Sequence, residues 1–312
     1  MSSPSEILSL PPARPASQNA AIEMIRNLLR NRSAVIGLVV IGFLICCAIF
    51  APQIATYDPI QSMIGQPGET GRLPGKPPCV PLFGCSDPGH YFGLDLNGRD
   101  IYSRIIYGTR TSLIVGFSSV SIAVIIGTLI GLVSGYVGGW VDNLLMRLMD
   151  VILAFPSLLL AITIVTIFGP GLENALLAIA LVSIPVYARL IRASVLSVKE
   201  MEYIMAVRSI GAKPARILFL HIFPNAVTPV IVQATLGIGT AVLDAAALAY
   251  LGLGARPPTP EWGQMLSEAR AYIFTAPHMV FFPGIAIMIT VLGFNLFGDG
   301  LRDALDPRLV RS

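Results

Sequence analysis

Charge is scarce in this sequence. Asp, Glu, Lys and Arg make up 12% of 312 residues, about half the share in an ordinary soluble domain. A soluble fold of this size could not clothe its surface with so few charges, which argues against a soluble enzyme, a secreted toxin or a disordered chain. Cysteine is sparse too: four residues are too few for a disulfide scaffold. The chain has no Gly-x4-Gly-Lys-Ser/Thr loop, so it cannot cradle nucleotide phosphates itself. It also lacks Gly-x-Ser-x-Gly and any His/Glu pair at helical spacing, which argues against an enzyme embedded in the membrane. What is abundant is apolar: 54% of residues are hydrophobic, and the mean hydropathy is +0.73. The composition is that of a polytopic membrane protein. The net charge is only +3, so the placement of charge carries more information than its sum.

Stretches without Asp, Glu, Lys or Arg locate the spans, since a crossing helix needs about 20 mostly apolar residues. They run over Ser33–Tyr57, Thr111–Val141, Val151–Leu172, Asn174–Ala188, Ile217–Leu243 and Ala271–Gly298. Six spans is the natural count. The fourth is the shortest; it holds Pro185 and ends at Arg189, which can lengthen it by snorkelling. With the N-terminus inside, segments 1–32, 142–150, 189–216 and 302–312 carry 14 of the 21 Lys and Arg residues. That bias places both termini on the cytoplasmic side. The first apolar run is too long and too late for a cleaved signal peptide, so it reads as an uncleaved first helix. The proline-rich residues 1–20 read as a disordered cytoplasmic tail.

Segment 58–110 is extracytoplasmic in this topology. Its first part is rich in Pro and Gly and has little expected regular structure. Asp100–Tyr107 can form an interfacial helix, with Tyr102 and Tyr107 at headgroup level. Cys79 and Cys85 lie here: a local disulfide suits an oxidising compartment, two free thiols are the alternative, and zinc with His90 has poor ligand spacing. Cys46 and Cys47, inside the first span, read as small packing residues. Gly127, Gly131 and Gly135 form a small-xxx-small stripe for close helix approach. Pro156, Pro185 and Pro229 are expected to kink spans.

The longest inside loop, 189–221, has an unusual pattern. Lys199–Ile210 fits a short helix whose Tyr203, Ile204, Val207 and Ile210 make an apolar face. Gly211 is placed to end it, and Pro214 to open a second helix. That face either docks into another protein's groove or packs on this chain's own helix ends; periodicity does not choose.

Gly211, followed by His221-Ile-Phe-Pro-Asn225, resembles the coupling loop of bacterial ABC importer permeases. The chain after its tail resembles, more narrowly, the second (C-type) membrane subunit of the dipeptide/oligopeptide permease family. The strings that carry this are Phe92-Gly-Leu-Asp-Leu-Asn-Gly-Arg-Asp, Gly135-Tyr-Val-Gly-Gly-Trp-Val-Asp, Met146-Arg-Leu-Met-Asp, Ala154-Phe-Pro, Leu248-Ala-Tyr-Leu-Gly-Leu-Gly, Glu261-Trp-Gly and Gly298-Asp-Gly-Leu-Arg-Asp. Several in the right order are specific where one would be weak.

The resemblance implies an all-α membrane protein of the type I ABC importer permease fold, with six transmembrane helices and both termini cytoplasmic. It implies residues 1–32 as a tail, 33–57 as the first span, 58–110 as the extracytoplasmic loop, 111–301 as a five-helix core and 302–312 as a second tail. It implies a permease subunit in the bacterial cytoplasmic membrane that imports di- or oligopeptides, with nickel complexes or glutathione as alternative cargo. The partners would be a homologous permease subunit, two P-loop ATPases that use ATP and Mg, an extracytoplasmic binding protein and membrane lipid, with no nucleic acid. This chain would bind no cofactor or metal and hold no catalytic residue. Glu202, Tyr203, Ile204, Ala206, Arg208, Gly211, Pro224 and Asn225 would form the ATPase coupling site. The family usually has Glu-Ala-Ala before the Arg; here Met205-Ala206-Val207 removes one acid, and Glu202 lies one turn earlier.

Asp244 is the one ionisable group deep in a span. Such a group can line a translocation path, or pair with a neighbouring helix or partner subunit. A self-sufficient secondary transporter would need ionisable groups in several spans, so this lone acid argues against one.

Overall fold

The computed structural model describes residues 20–64, 74–79 and 90–305. Cys85, residues 1–19 of the N-terminal tail, the Pro/Gly-rich stretches 65–73 and 80–89, and residues 306–312 lie outside them. Regular structure among the described residues is helical, apart from an isolated bridge between Leu94 and Asp100. Five helices are long and apolar enough to cross a membrane, or six if one bent pair counts as a span.

A short helix α1 (Ala20–Arg30) precedes the first long one, α2 (Arg32–Ile49). The N-terminal segment expected as tail is therefore partly helical. Asn31 divides the two helices: its side-chain oxygen accepts the backbone N–H groups of Ser33 and Ala34, 3.0 and 3.3 Å away, satisfying two donors that α2 cannot pair internally. One further turn, α3 (Ala51–Ile54), follows.

The next helix, α4 (Ile101–Val137), has 37 residues. Asp100 caps it, accepting the Ser103 backbone N–H at 2.8 Å. The separate interfacial helix expected at 100–107 is the first two turns of α4, because no residue after Tyr107 interrupts the backbone ladder. Gly138 and Gly139, at φ of +70° and +57°, turn the chain into α5 (Gly139–Leu153). The third expected span is a bent pair: α5 meets α6 (Ser157–Phe168) at 87°. Pro156 lies at the bend, where its ring and missing N–H block continuation.

The fourth apolar run belongs to α7 (Leu172–Lys199), 28 residues long and continuous through Pro185, Arg189 and Arg192. Charge marked the end of the apolar run, and the helix goes on beyond it. The short helices α8 (Glu202–Ser209), α9 (Pro214–Arg216) and α10 (Phe223–Ala226) follow, with a π-helical turn over Ile217–Ile222. The fifth span begins only at α11 (Thr228–Tyr250). Between it and α13 (His278–Leu305) stands an unforeseen helix, α12 (Trp262–Ala269). Its eight residues form too short a run for hydropathy to register.

The most extensive packing joins α4 to α7. A Cβ on Gly127 would lie 2.7 Å from the Ile184 carbonyl oxygen, one on Gly135 would lie 2.9 Å from Val195 Cγ1, and one on Gly131 would strike the Ala188 carbonyl. The glycine stripe is thus an internal seam. The main core gathers α4, α6, α7 and α11 side chains, and includes Ile191, Val195, Ile204, Ile217 and Ile222.

Candidate coupling site

Helix α7 ends at Lys199 with Glu200 as its cap, and the chain reopens as α8 after an extended Met201. Glu202 in the first turn and Arg208 in the last complement the helix dipole. Gly211, at φ +80°, reverses the chain in a conformation that disfavours other L residues. Pro214 then opens α9, where its missing N–H costs nothing.

One face of α8 is turned inward. Ile204 has no exposed surface and belongs to the cluster with Val198, Ile217 and Ile222. It anchors α8 to its own chain, and its burial excludes the partner contact expected of it. Val207 packs partly against the same cluster. The outer face remains open: Ile210 is 84% exposed and Met205 51%, and Glu202, Ala206, Arg208 and Gly211 are exposed with them.

A polar latch holds this outer face in place. Asn225 Nδ2 donates to the His221 carbonyl at 2.7 Å and to the Tyr203 hydroxyl at 3.1 Å. That hydroxyl donates to the same carbonyl at 3.2 Å. The His221 carbonyl that receives both bonds lies in the π-helical turn over Ile217–Ile222. Exposed Pro224 sits in the first turn of α10, beside Asn225.

A brace behind the latch was not foreseen. Asp142, one turn after the Gly138–Gly139 corner, accepts Arg192 Nε and a terminal guanidinium nitrogen, both at 2.6 Å, and the Ser134 hydroxyl. Lys199 Nζ donates to the Gly135 carbonyl at 3.0 Å. Arg189 pairs with Asp150. These bonds tie α4, α5 and α7 together where α8 begins. Nothing in helical periodicity pairs residues 50 apart, although Gly-Trp-Val-Asp142 marks one partner.

At the other end of the molecule, charge is buried. His90 Nδ1 and Asp100 meet at 2.9 Å with no exposed side-chain surface. Arg99 bridges Asp95 and Glu268, at 2.6 Å each. Arg104 reaches the Pro59 and Pro258 carbonyls at 3.1 and 3.2 Å. Glu261 caps α12 by accepting the Gly263 and Gln264 N–H groups, at 3.0 and 2.8 Å; burial pushes its carboxyl up to about 7. His90 is engaged by Asp100, and no group of three His, Cys, Asp or Glu among the described residues could hold a metal. Cys79 is buried and disulfide-bonded, whereas Cys46 and Cys47 are free. Asp244 is half-buried in α11, and its side chain makes no hydrogen bond or ion pair with another described residue. The pairing with a neighbouring helix of this chain is therefore not found there.

Residues 127–311 match the model of the binding-protein-dependent transport system inner membrane component, and residues 21–71 match the N-terminal TM domain of oligopeptide transport permease C. The chain is 50% identical over 287 residues to a dipeptide transport system permease protein of Alkalihalophilus pseudofirmus, covering 92% of this chain and 90% of that one. It is 47% identical to a di/tripeptide transport system permease protein of Pseudomonas aeruginosa, covering 92% of each. A glutathione transport system permease protein of Escherichia coli is 46% identical, with 92% and 90% covered. Among solved structures, a chain of the inward-facing MetNI methionine ABC transporter superposes with a TM-score of 0.56 at 20% identity, over 66% of this chain and 98% of that one.

Proposed function

Because this chain belongs to the family of binding-protein-dependent transport system inner membrane components, we propose that it is the C-type permease subunit of an ATP-driven importer of di- and oligopeptides. The similarity to dipeptide and di/tripeptide permeases over nine-tenths of the chain supports the cargo. The glutathione permease favours a second reading within the same chemistry, since glutathione is itself a small peptide.

In this reading the chain crosses a bacterial cytoplasmic membrane six times, with both termini inside and α5–α6 as one broken span. It forms half of a pathway whose other half is a homologous permease subunit. Two P-loop ATPases consume ATP and Mg on the cytoplasmic side, and an extracytoplasmic protein delivers the peptide. Asp244 faces the pathway, and Cys79 bonds to Cys85.

The observation that carries the coupling role is α8: an exposed apolar helix, latched by Tyr203 and Asn225 and anchored by Ile204. Water gives such a face no reason to stay exposed; a partner's groove does. Glu202, Tyr203, Ala206, Arg208 and Gly211 meet the ATPase, while Pro224 and Asn225 hold the latch. ATP-driven closure of the ATPases then pushes α8, and the Asp142–Arg192 brace passes the push to α4 and α7.

The test is Gly211→Val in the complete complex reconstituted in vesicles. No atom lies within 4 Å of a Cβ built there, so the branched side chain would meet the partner, while the positive φ costs about 1–2 kcal/mol. Peptide-stimulated ATP hydrolysis is expected to persist while import per ATP falls severalfold. Import per ATP at the wild-type level would overturn the assignment of α8.

A further inference from the structure

A groove of about 340 Å³ runs between α2 and α4, lined by Ile45, Ala48, Ile49, Leu113, Ile114, Phe117 and half-buried Ser118, with Arg110 at one end. On α4 the exposed members are Arg110, Ile114 and Phe117, at the i, i+4, i+7 spacing of one helical face; on α2 they are Ile45 and Ile49. The groove therefore opens away from the core, toward whatever surrounds the helices.

Arg110 is the feature that needs a partner. Its side chain makes no hydrogen bond or ion pair with any described residue. Neither element that walls the groove can supply one, since α2 and α4 contain no Asp or Glu. It lies one turn after Tyr107, level with Ile49 in the last turn of α2. With Tyr107 expected at headgroup level, Arg110 falls near the boundary between apolar core and headgroups, where a cation snorkels. From Arg110 to Phe117 the groove descends seven residues, about 10 Å into the apolar layer.

We propose that this groove holds one anionic phospholipid, its phosphate on Arg110 and an acyl chain lying along Ile114 and Phe117. A cation beside a dry slot, at this depth and with no acid in either wall, is complementary to a lipid phosphate. A zwitterionic lipid carries its own cation and gains less, and a soluble phosphate would leave the apolar slot unfilled. The orientation proposed above assigns the lipid to the extracytoplasmic leaflet; the binding itself does not rest on that orientation.

The experiment is native mass spectrometry of the purified, delipidated complex titrated with dioleoylphosphatidylglycerol, dioleoylphosphatidylcholine or inorganic phosphate. Phosphatidylglycerol is expected to bind about fivefold more weakly to Arg110→Gln, with recovery in Arg110→Lys. Ile114→Trp is expected to weaken it by obstructing the slot while leaving the charge in place. Equal binding of the two lipids, or wild-type binding by both Arg110→Gln and Ile114→Trp, would overturn the proposal. A photo-crosslinking residue at position 117 reads the other occupants: a lipid adduct supports the proposal, and an adduct to a partner subunit overturns it. Neither readout depends on the ATPase assignment, so failure of one leaves the other standing.

Discussion

The Tyr203 hydroxyl accepts from the Asn225 amide and donates to the His221 carbonyl, which the same amide also reaches. Tyr203→Phe keeps the ring and deletes both contacts, at about 1 kcal/mol for an exposed bond pair. We expect import per ATP to fall about two- to fivefold, with ATP binding unchanged, as measured in vesicles. An unchanged ratio would reduce the latch to decoration. Asn225→Ala should do the same, and the double variant should cost less than the sum, since both act on one network. The sequence named Asn225 through its family string and Tyr203 through the periodicity of its short helix. It could not tell that Ile204, on the same short helix, faces inward, because a periodic apolar face looks alike whether its neighbour is another subunit or this chain's own π turn.

Helices were legible where burial is uniform and illegible where it changes along their length. Charge-free runs measure the thickness of the apolar layer, so they located α2, α4, α11 and α13 and clipped α7 at Arg189. Arg192 lies inside that helix because Asp142 neutralises it, a pairing across 50 residues. The 87° corner between α5 and α6 was half legible: Pro156 announced a break, and nothing local set its angle. The Gly127–Gly131–Gly135 stripe was fully legible as a seam, and the structure supplies its partner, α7. Gly131→Val drives side-chain carbon into the Ala188 carbonyl and is expected to cost about 2–3 kcal/mol by overpacking. Gly284→Val, with no atom within 4 Å of the added Cβ, is the control. Melting temperature in detergent reads both, and equal melting of the two variants would refute the seam.

On the scale of the whole molecule, the two ends respond to different chemistry. The end that bears α8 is held by exposed and half-exposed pairs, the other end by buried ones, so pH should act mainly on the latter. Glu261 holds its proton up to about pH 7 in the folded chain, whereas a free glutamate loses it near 4.5. Folding therefore binds the proton more tightly. The stabilisation is complete below the free value and is lost as pH rises through about 7, by at most about 3 kcal/mol. Melting temperature should fall between about pH 5 and pH 8, and Glu261→Gln should flatten that fall; an unaltered slope in the variant would count against it. Between these ends stands α4, capped by buried Asp100 and reaching Gly138 without a break. At 1.5 Å per residue it is a strut of about 55 Å. Pivoting such a strut by about 10° around its middle would sweep each tip about 5 Å in opposite directions. Probes fixed near its two tips should therefore keep their mutual separation through a transport cycle, while each changes its distance to α2.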